Sequence, residues 1–584
     1  MAFMSGNEAI AQGAWEAGAH IGVAYPGTPS TETMEEFAKK PDVYAEWAPN
    51  EKVAVEVAVG SCAAGARVLA TMKHVGVNVA ADPLFTVSYT GVNGGMLVLA
   101  ADDPGMFSSQ NEQDSRFYAH SAAIPMFEPS NSAEAYRFAH DAYELSERFD
   151  TPFMMRTTVR TSHAKTVIET GERVPVDVKP YEKDPAKWVM MPAFAKPRRV
   201  VLAARTEALK EWVEDCPYNT VEMRDAEIGI VCSGAAYEYV RDAMPNASTF
   251  KLGVVWPLPQ KALADFASKV DAVYVIDEAS DYLSSHVKAL GIAVADFVNP
   301  LPTCGEVSPL AISHAFGKEL PPHEAMPNDV PGRPPALCPG CPHRPVFKEL
   351  SRMRAIVTGD IGCYTLGALP PLSAMDTTVD MGASISMAHG FELAMAGTEH
   401  RPIVGVIGDS TFGHSGLSSL LGTAYNRGTG TICILDNRTT AMTGQQGNPF
   451  NGVTLQNRVS REMNIERIVG ALGIEDIQTV NPHDVDAVRT ALKAATSNDD
   501  LSVIVFRAPC VLLDKKNRKP ACEVGHECTA CGSCIRIGCP ALSRDEGNGC
   551  ALIDPDLCIG CGDCAQYCRF DAIHVPAPKG EAHA

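Results

Sequence analysis

The 584-residue chain contains no apolar run long enough to span a bilayer: its longest, such as MLVLAA at 96–101, have the length of a core strand, well short of the ~20 residues a membrane helix needs. It also lacks a basic patch. Lys and Arg number 49 against 70 Asp and Glu, for a net charge of −21, which argues against nucleic acid or an anionic membrane as a partner. The opening MAFMSGNEAIAQGAWEAGAH has no basic segment leading into an apolar stretch, so no secretory leader is read and a cytoplasmic location is expected. A disulfide framework is a poor account of 19 cysteines, an odd number that clusters late in the chain. Metal-binding or catalytic thiols fit better.

Apolar strands alternate with Ala-rich amphipathic stretches through most of the length. The strands include IGVAY (21–25), MLVLAA (96–101), IGIVCS (228–233), AVYVID (272–277), PIVGVIG (402–408), TICILD (431–436) and LSVIVF (501–506). Such alternation predicts an α/β protein built of doubly wound parallel sheets covered by helices on both faces. Two breaks interrupt it, a charged stretch at 165–225 and a Pro-dense linker at 318–340, and after about 515 the βα rhythm gives way to cysteine. Four units are therefore expected, at 1–165, 200–320, 336–510 and 515–584. The middle one, 200–320, shows no chemical constellation and is assigned to packing or partner contact. Residues 102–118 read as a solvated polar loop.

The tail repeats itself. Cys528, Cys531 and Cys534 recur 30 positions on as Cys558, Cys561 and Cys564, and Cys539 recurs 29 positions on as Cys568. Triplets at this spacing wrap an iron–sulfur cubane, which a remote fourth thiolate completes, whereas a zinc ribbon uses pairs. Cys522 and Cys550 fall outside the repeat and read as bystanders. The tail resembles bacterial two-cluster ferredoxins. That resemblance implies crossed ligation of two 4Fe–4S clusters, one by Cys528, Cys531, Cys534 and Cys568 and the other by Cys558, Cys561, Cys564 and Cys539. Two departures stand out: four residues precede Cys539 where three are usual, and Arg569 replaces the customary proline.

Upstream, one strand ends in GDSTFGH (408–414) and the next in LDNRTTAMTG (435–444). Neighbouring strand ends in a parallel sheet share its carboxyl edge, where ligands bind. Asp409, Asn437 and the carbonyl of Thr439 would offer three hard oxygens to Mg²⁺, and Gly408 would let backbone approach a phosphate. A lone GD after a strand is usually a turn; the DN at 436–437 makes it more. The pair resembles the thiamine diphosphate signature, with Ser410 where that signature ends in glycine.

A thiamine enzyme also needs a carboxylate against the aminopyrimidine ring. In NEKVAVEVAVGSCAAGARVLATM (50–72), Glu51 opens a helix, where an acid is favoured by the helix dipole alone. The small residues that follow it resemble the pyrimidine-binding domain of thiamine enzymes, which singles out Glu51 over Glu56. YPGTPSTE (25–32), CPGCPHR (338–344) and DIGCY (360–364) are similar to stretches of the 2-oxoacid:ferredoxin oxidoreductases. Cys338, Cys341 and His343 alone could also be read as part of a zinc site, but no second pair lies near.

Taken together, nearly the whole chain resembles the alpha subunits of the indolepyruvate ferredoxin oxidoreductase family. The resemblance implies thiamine diphosphate with Mg²⁺, two 4Fe–4S clusters, a smaller beta subunit in an α2β2 assembly, and ferredoxin as acceptor. The reaction it implies converts an arylpyruvate and coenzyme A to aryl-acetyl-CoA and CO₂. Thr28 would then approach the substrate, and Cys341, His343, Gly362, Cys363 and Ser410 would line the cofactor. No coenzyme A motif is recognisable. Two rivals remain at this level: a non-oxidative 2-oxoacid decarboxylase or carboligase, and an electron-transfer or scaffold subunit without an active site of its own.

Overall fold

The computed structural model describes residues 1–320, 330–332, 334–397, 400–513 and 518–576. Much of the linker read at 318–340, and residues 515–517 and 577–584 of the tail unit, lie outside the described residues. The chain forms two compact units, Met1–Ala325 and Met326–Ala584.

In the first unit a seven-stranded sheet runs in the order Val254–Trp256, Met126–Phe127, Phe153–Thr158, Met96–Asp102, Val68–Lys73, Ile21–Ala24, Tyr44–Trp47. Every pairing is parallel except that of the edge strand Val254–Trp256. Met96–Asp102 is buried along its whole length, which is why MLVLAA reads as an unbroken apolar run. Each fully buried Leu or Val there contributes roughly 1.5–3 kcal/mol. Helix Glu51–Ala63 is capped by the Asn50 side chain, which accepts from Val53 N at 2.9 Å, and its Ala54, Val55 and Ala58 share one core with Ala70, Met72 and Val98.

A second sheet of the same unit orders Ala272–Ile276, Asp225–Ser233, Ala247–Leu252 and Thr220–Glu222, the last antiparallel. The segment read as a separate middle unit thus builds its own sheet and lends Val254–Trp256 to the first one. Within the supposed break at 165–225 lies a 21-residue helix, Pro192–Trp212. No apolar stripe announces it because guanidinium groups hold it down: Arg198 Nε donates to Tyr89 O at 2.7 Å, and Arg205 donates to Ser88 O at 2.5 Å and to Asp150 at 2.9 Å.

The second unit carries a six-stranded, all-parallel sheet in the order Thr377–Thr378, Ile356–Gly359, Ile403–Gly408, Thr431–Asp436, Ser502–Arg507, Asp476–Val480. Two short antiparallel pairs follow, Glu523–Val524 with Ile573–His574 and Leu542–Arg544 with Ala551–Ile553. The expected α/β architecture with parallel sheets and a small cysteine-rich tail is what the chain adopts. No helix among the described residues is long and apolar enough to cross a membrane.

Candidate functional site

Gly408 pairs with Leu435 in the parallel ladder, so the two strand ends deliver Asp409 and Asn437 side by side at the carboxyl edge of the sheet. Asp409 is 2% exposed, and its carboxyl accepts from Asn448 Nδ2 at 3.0 Å. Burial, reinforced by the neighbouring Asp436, pushes it up to about 7. A carboxyl so placed is poorly satisfied as an anion, and a hard divalent cation supplies what the protein withholds. Asn437 Oδ1 accepts from Thr439 N at 3.1 Å, and Thr440 Oγ1 donates to Ser410 Oγ at 2.8 Å. The loop after Asn437 therefore folds back over the start of the Asp409 helix. Asn448 is a site residue that sequence reading did not find; its signal was the turn-rich TGQQGN at 443–448.

A Cβ on Gly408 would stand 2.6 Å from Cε1 of Tyr364, so the glycine also makes room for this ring. Tyr364 also packs over Gly362, whose N–H is already committed to Thr365 Oγ1 at 3.0 Å. The Tyr364 hydroxyl donates to the buried Asp360, which accepts from Ser384 Oγ at 2.7 Å as well. Burial raises Asp360 to about 7.

His343 is buried, and burial lowers its imidazole to about 4, so it is neutral at physiological pH. Its Nε2 lies 3.5 Å from Asn437 Nδ2. Burial pushes the Cys341 thiol up to about 12 and that of Cys363 to about 11. The thiols that add to the Cys363 shift are Cys510 and Cys338, so four cysteines, two from the loop before helix His343–Met353 and one after each of the strands Ile356–Gly359 and Ser502–Arg507, lie near one another. Cys510 N donates to Asn437 O at 2.9 Å, which ties this thiol group to the Asp409–Asn437 edge. Cys510 was not read as a site residue at all, because only the register of Ser502–Arg507 beside Thr431–Asp436 brings it close.

In the tail, Cys528, Cys531, Cys534 and Cys568 line one cavity, and Cys539, Cys558, Cys561 and Cys564 line another. The first nest is the outer one: Cys531 is exposed. The second, inner nest is roofed by Pro339 and Gly340 of the CPGC loop. Arg344 fastens that roof, donating to Cys338 O at 3.1 Å and to Gly538 O beside Cys539. Cys522 is no bystander in position. It lines the inner nest, its N–H donates to Cys558 Sγ at 3.4 Å, and bonding to Cys564 and Cys558 holds its thiol down at about 6. Cys550 likewise sits against Cys528, its Sγ 3.5 Å from Cys528 O. Among the described residues, no three His, Cys, Asp or Glu side chains gather tightly enough for a single metal ion; a cubane spreads its four thiolates wider than one ion does.

In the first unit Glu51 is 4% exposed at the start of its helix. A Cβ on Gly76 would stand 2.7 Å from Glu51 Oε1, so this carboxylate lies directly on the Gly76 backbone. Glu56 is solvent-facing, 3.9 Å from Lys52. Thr28 is half-buried in a turn held by Ser30 Oγ donating to Gly27 O at 2.8 Å and Asn7 Nδ2 donating to Pro29 O at 2.7 Å.

Three family models match the chain: the thiamine diphosphate-binding domain of pyruvate flavodoxin/ferredoxin oxidoreductases over residues 12–223, the C-terminal TPP-binding domain of thiamine pyrophosphate enzymes over 360–506, and a 4Fe–4S binding domain over 551–574. Similar curated proteins include "Indolepyruvate oxidoreductase subunit IorA" of Thermococcus kodakarensis, 39% identical over 99% of this chain and 97% of that one. The same-named proteins of Pyrococcus abyssi and Methanothermobacter thermautotrophicus are both 40% identical, over 97% and 99% of this chain and 96% and 98% of theirs.

Proposed function

Because the chain belongs to the indolepyruvate oxidoreductase subunit IorA family, we propose that it oxidatively decarboxylates arylpyruvates, indolepyruvate foremost, passing the electrons to ferredoxin. Its domains are those of a thiamine-dependent 2-oxoacid:ferredoxin oxidoreductase. The balanced reaction is 2-oxoacid, coenzyme A and two oxidised ferredoxins giving acyl-CoA, CO₂, two reduced ferredoxins and a proton. A smaller beta subunit in an α2β2 assembly completes the enzyme.

Asp409, Asn437 and the Thr439 carbonyl would hold Mg²⁺ and with it the diphosphate, and the ionisable, buried Asp409 fits that task. Glu51 would face the aminopyrimidine, and Thr28 the substrate. Bound thiamine diphosphate supplies a carbanion able to attack a 2-keto carbon and accept the electron pair left when CO₂ departs.

The observation that carries the reading is a route inside the second unit. Asn437 is bonded to Cys510; Cys510, Cys363, Cys338 and Cys341 gather beside it; the CPGC loop then roofs the inner nest, and the outer nest opens to solvent. Four converging thiols suit a further iron–sulfur cluster between the cofactor edge and the ferredoxin-like tail. Two electrons from decarboxylation would leave one at a time along these steps.

The test is anaerobic purification with and without the beta subunit, then methyl viologen reduction with a panel of arylpyruvates. Reduction is expected only with 2-oxoacid, coenzyme A and both subunits present, and iron content should approach about 12 per chain, three cubanes, rather than about 8. Aldehyde release without viologen reduction would instead establish the non-oxidative reaction.

A further inference from the structure

Lys73 ends the strand Val68–Lys73 at the carboxyl edge of the first sheet, between the ends of Ile21–Ala24 and Met96–Asp102. It is 8% exposed. Its stem lies along the turn that carries Thr28: a Cβ on Gly27 would meet Lys73 Cγ at 3.3 Å and Cδ at 3.4 Å. The ammonium donates to Ser108 O at 3.0 Å. Asp103 and Glu51 are near enough to act on it through space. Asp103 is occupied elsewhere, accepting from Ser108 N at 2.8 Å and Ser109 Oγ at 2.6 Å.

A buried ammonium carries three donors, and one bond to a neutral carbonyl does not offset the loss of its hydration. A tie for the 103–109 loop needs no charge; a glutamine would serve it. What the geometry lacks is an anion, and the place left for one is bordered by the Thr28 turn on one side and the Glu51 carboxylate, seated on Gly76, on the other. We propose that Lys73 is the residue that recognises the substrate's carboxylate, pairing with the C1 carboxylate of the 2-oxoacid while Thr28 and Glu51 address its keto carbon and the cofactor. This rests on the functional reading above and deepens it. It makes Lys73 a specificity residue for the 2-oxoacid head common to all arylpyruvates, leaving the choice of aryl group to other contacts.

The pH behaviour should follow. Burial lowers Lys73 to about 8, opposed by Asp103 first and then Glu51. Its other titratable neighbour, His74, is itself held low by burial and by Lys73 and stays neutral above pH 7. Below about 8 the ammonium is charged and competent; above it the free site loses its anion partner.

The test uses the complex of both subunits with cofactors loaded. In Lys73→Met the KM for the arylpyruvate should rise roughly 30- to 100-fold, with the KM for coenzyme A and the affinity for thiamine diphosphate unchanged within about 2-fold. Wild type should lose kcat/KM for the 2-oxoacid above pH about 8, and that falling limb should vanish in Lys73→Arg, which keeps the charge. An arylpropanoate inhibitor should weaken in Lys73→Met, while its amide should not. Should Lys73→Met fail to fold, the Lys73→Arg pH profile decides alone, and a limb that persists near pH 8 overturns the assignment. A Lys73→Met enzyme with unchanged 2-oxoacid KM, or one whose coenzyme A KM rises instead, also overturns it. If the wild-type complex oxidises no 2-oxoacid, the functional reading itself is what fails.

Discussion

The two compact units bury their reactive groups in opposite ways. In the first, Arg116 and Arg156 sit among Asp102, Asp114, Glu128 and Asp277, with Arg116 2.6 Å from Asp114 and 2.8 Å from Asp277, and Arg156 2.6 Å from Asp102. Burial still raises Asp102 and Asp277, against the pull of Arg156 and Arg116. In the second unit the buried groups are thiols, and burial drives Cys341 and Cys561 upward, opposed at Cys341 by the single guanidinium of Arg344. Two guanidinium groups answer the carboxylates, whereas Arg344 is shared among Cys338, Cys341, Cys539 and Cys561. Thiols gathered in that number with so little positive charge suit a metal cluster.

If that contrast is right, damage to the two clusters should be read by different instruments. The largest effect belongs to the inner nest. Cys561→Ala should cut viologen reduction by at least ~100-fold while aldehyde release from the 2-oxoacid continues, since electrons are blocked after the chemistry. Cys531→Ala, in the exposed outer nest, should lower ferredoxin reduction by about 10-fold yet leave viologen reduction within ~3-fold, because a small dye reaches the inner steps. Equal losses with both acceptors in both variants would break the inner-to-outer order.

In the first unit Arg156→Met leaves Asp102 and Glu128 short of a counter-charge, and should cost about 3–5 kcal/mol of stability in chemical denaturation. Iron content should not change. A smaller effect is set by Glu278, which accepts from Val307 N at 3.1 Å and which burial raises to about 7 from an ordinary 4.5. The folded chain then binds more protons at this group than the unfolded chain does between pH 4.5 and 7. Its contribution is most favourable at the acid end, declines as pH rises through that window and is constant above it. Glu278→Gln should flatten that decline, worth at most about 3 kcal/mol across the window. A decline that survives in the Gln variant would assign it to Asp102 and Asp277 instead.

What the sequence made legible was chemistry written locally. The duplicated cysteine triplets mark two nests because two-residue gaps hold thiols together whatever the rest of the chain does, and Asp409 and Asn437 are legible because strand ends in a parallel sheet must share an edge. The missed features depend on tertiary register. Cys338, Cys363 and Cys510 lie apart in sequence and come together through the strand order of the six-stranded sheet and the loop that precedes it. Asp277 and Arg116 meet from segments read as different units. The 102–118 stretch looked like a solvated loop, yet Asp102, Asp103, Asp114 and Arg116 are buried at its two ends. Helix Pro192–Trp212 went unread for a similar reason, since its anchors are guanidinium bonds to distant carbonyls.

The smallest predicted effect probes the joint between the cofactor edge and the inner nest. Gly340 adopts φ +68, a conformation costly for any residue with a Cβ, and an added Cβ would press into the Ile559 side chain and lie 3.5 Å from Cys561 Cβ. Gly340→Ala therefore combines a backbone penalty of about 1 kcal/mol or more with a displaced Ile559 at the rim of the nest. Viologen reduction should fall only about 3-fold, with iron content intact, because the roof shifts without losing a thiol. Ile559→Ala removes the obstacle but not the backbone cost. The double variant should thus recover the part of the loss that came from crowding and keep the part that came from φ, and a cycle of the four proteins separates the two. Full recovery would place the whole effect in packing over Cys561; no recovery would place it in the loop that presents Cys338 and Cys341.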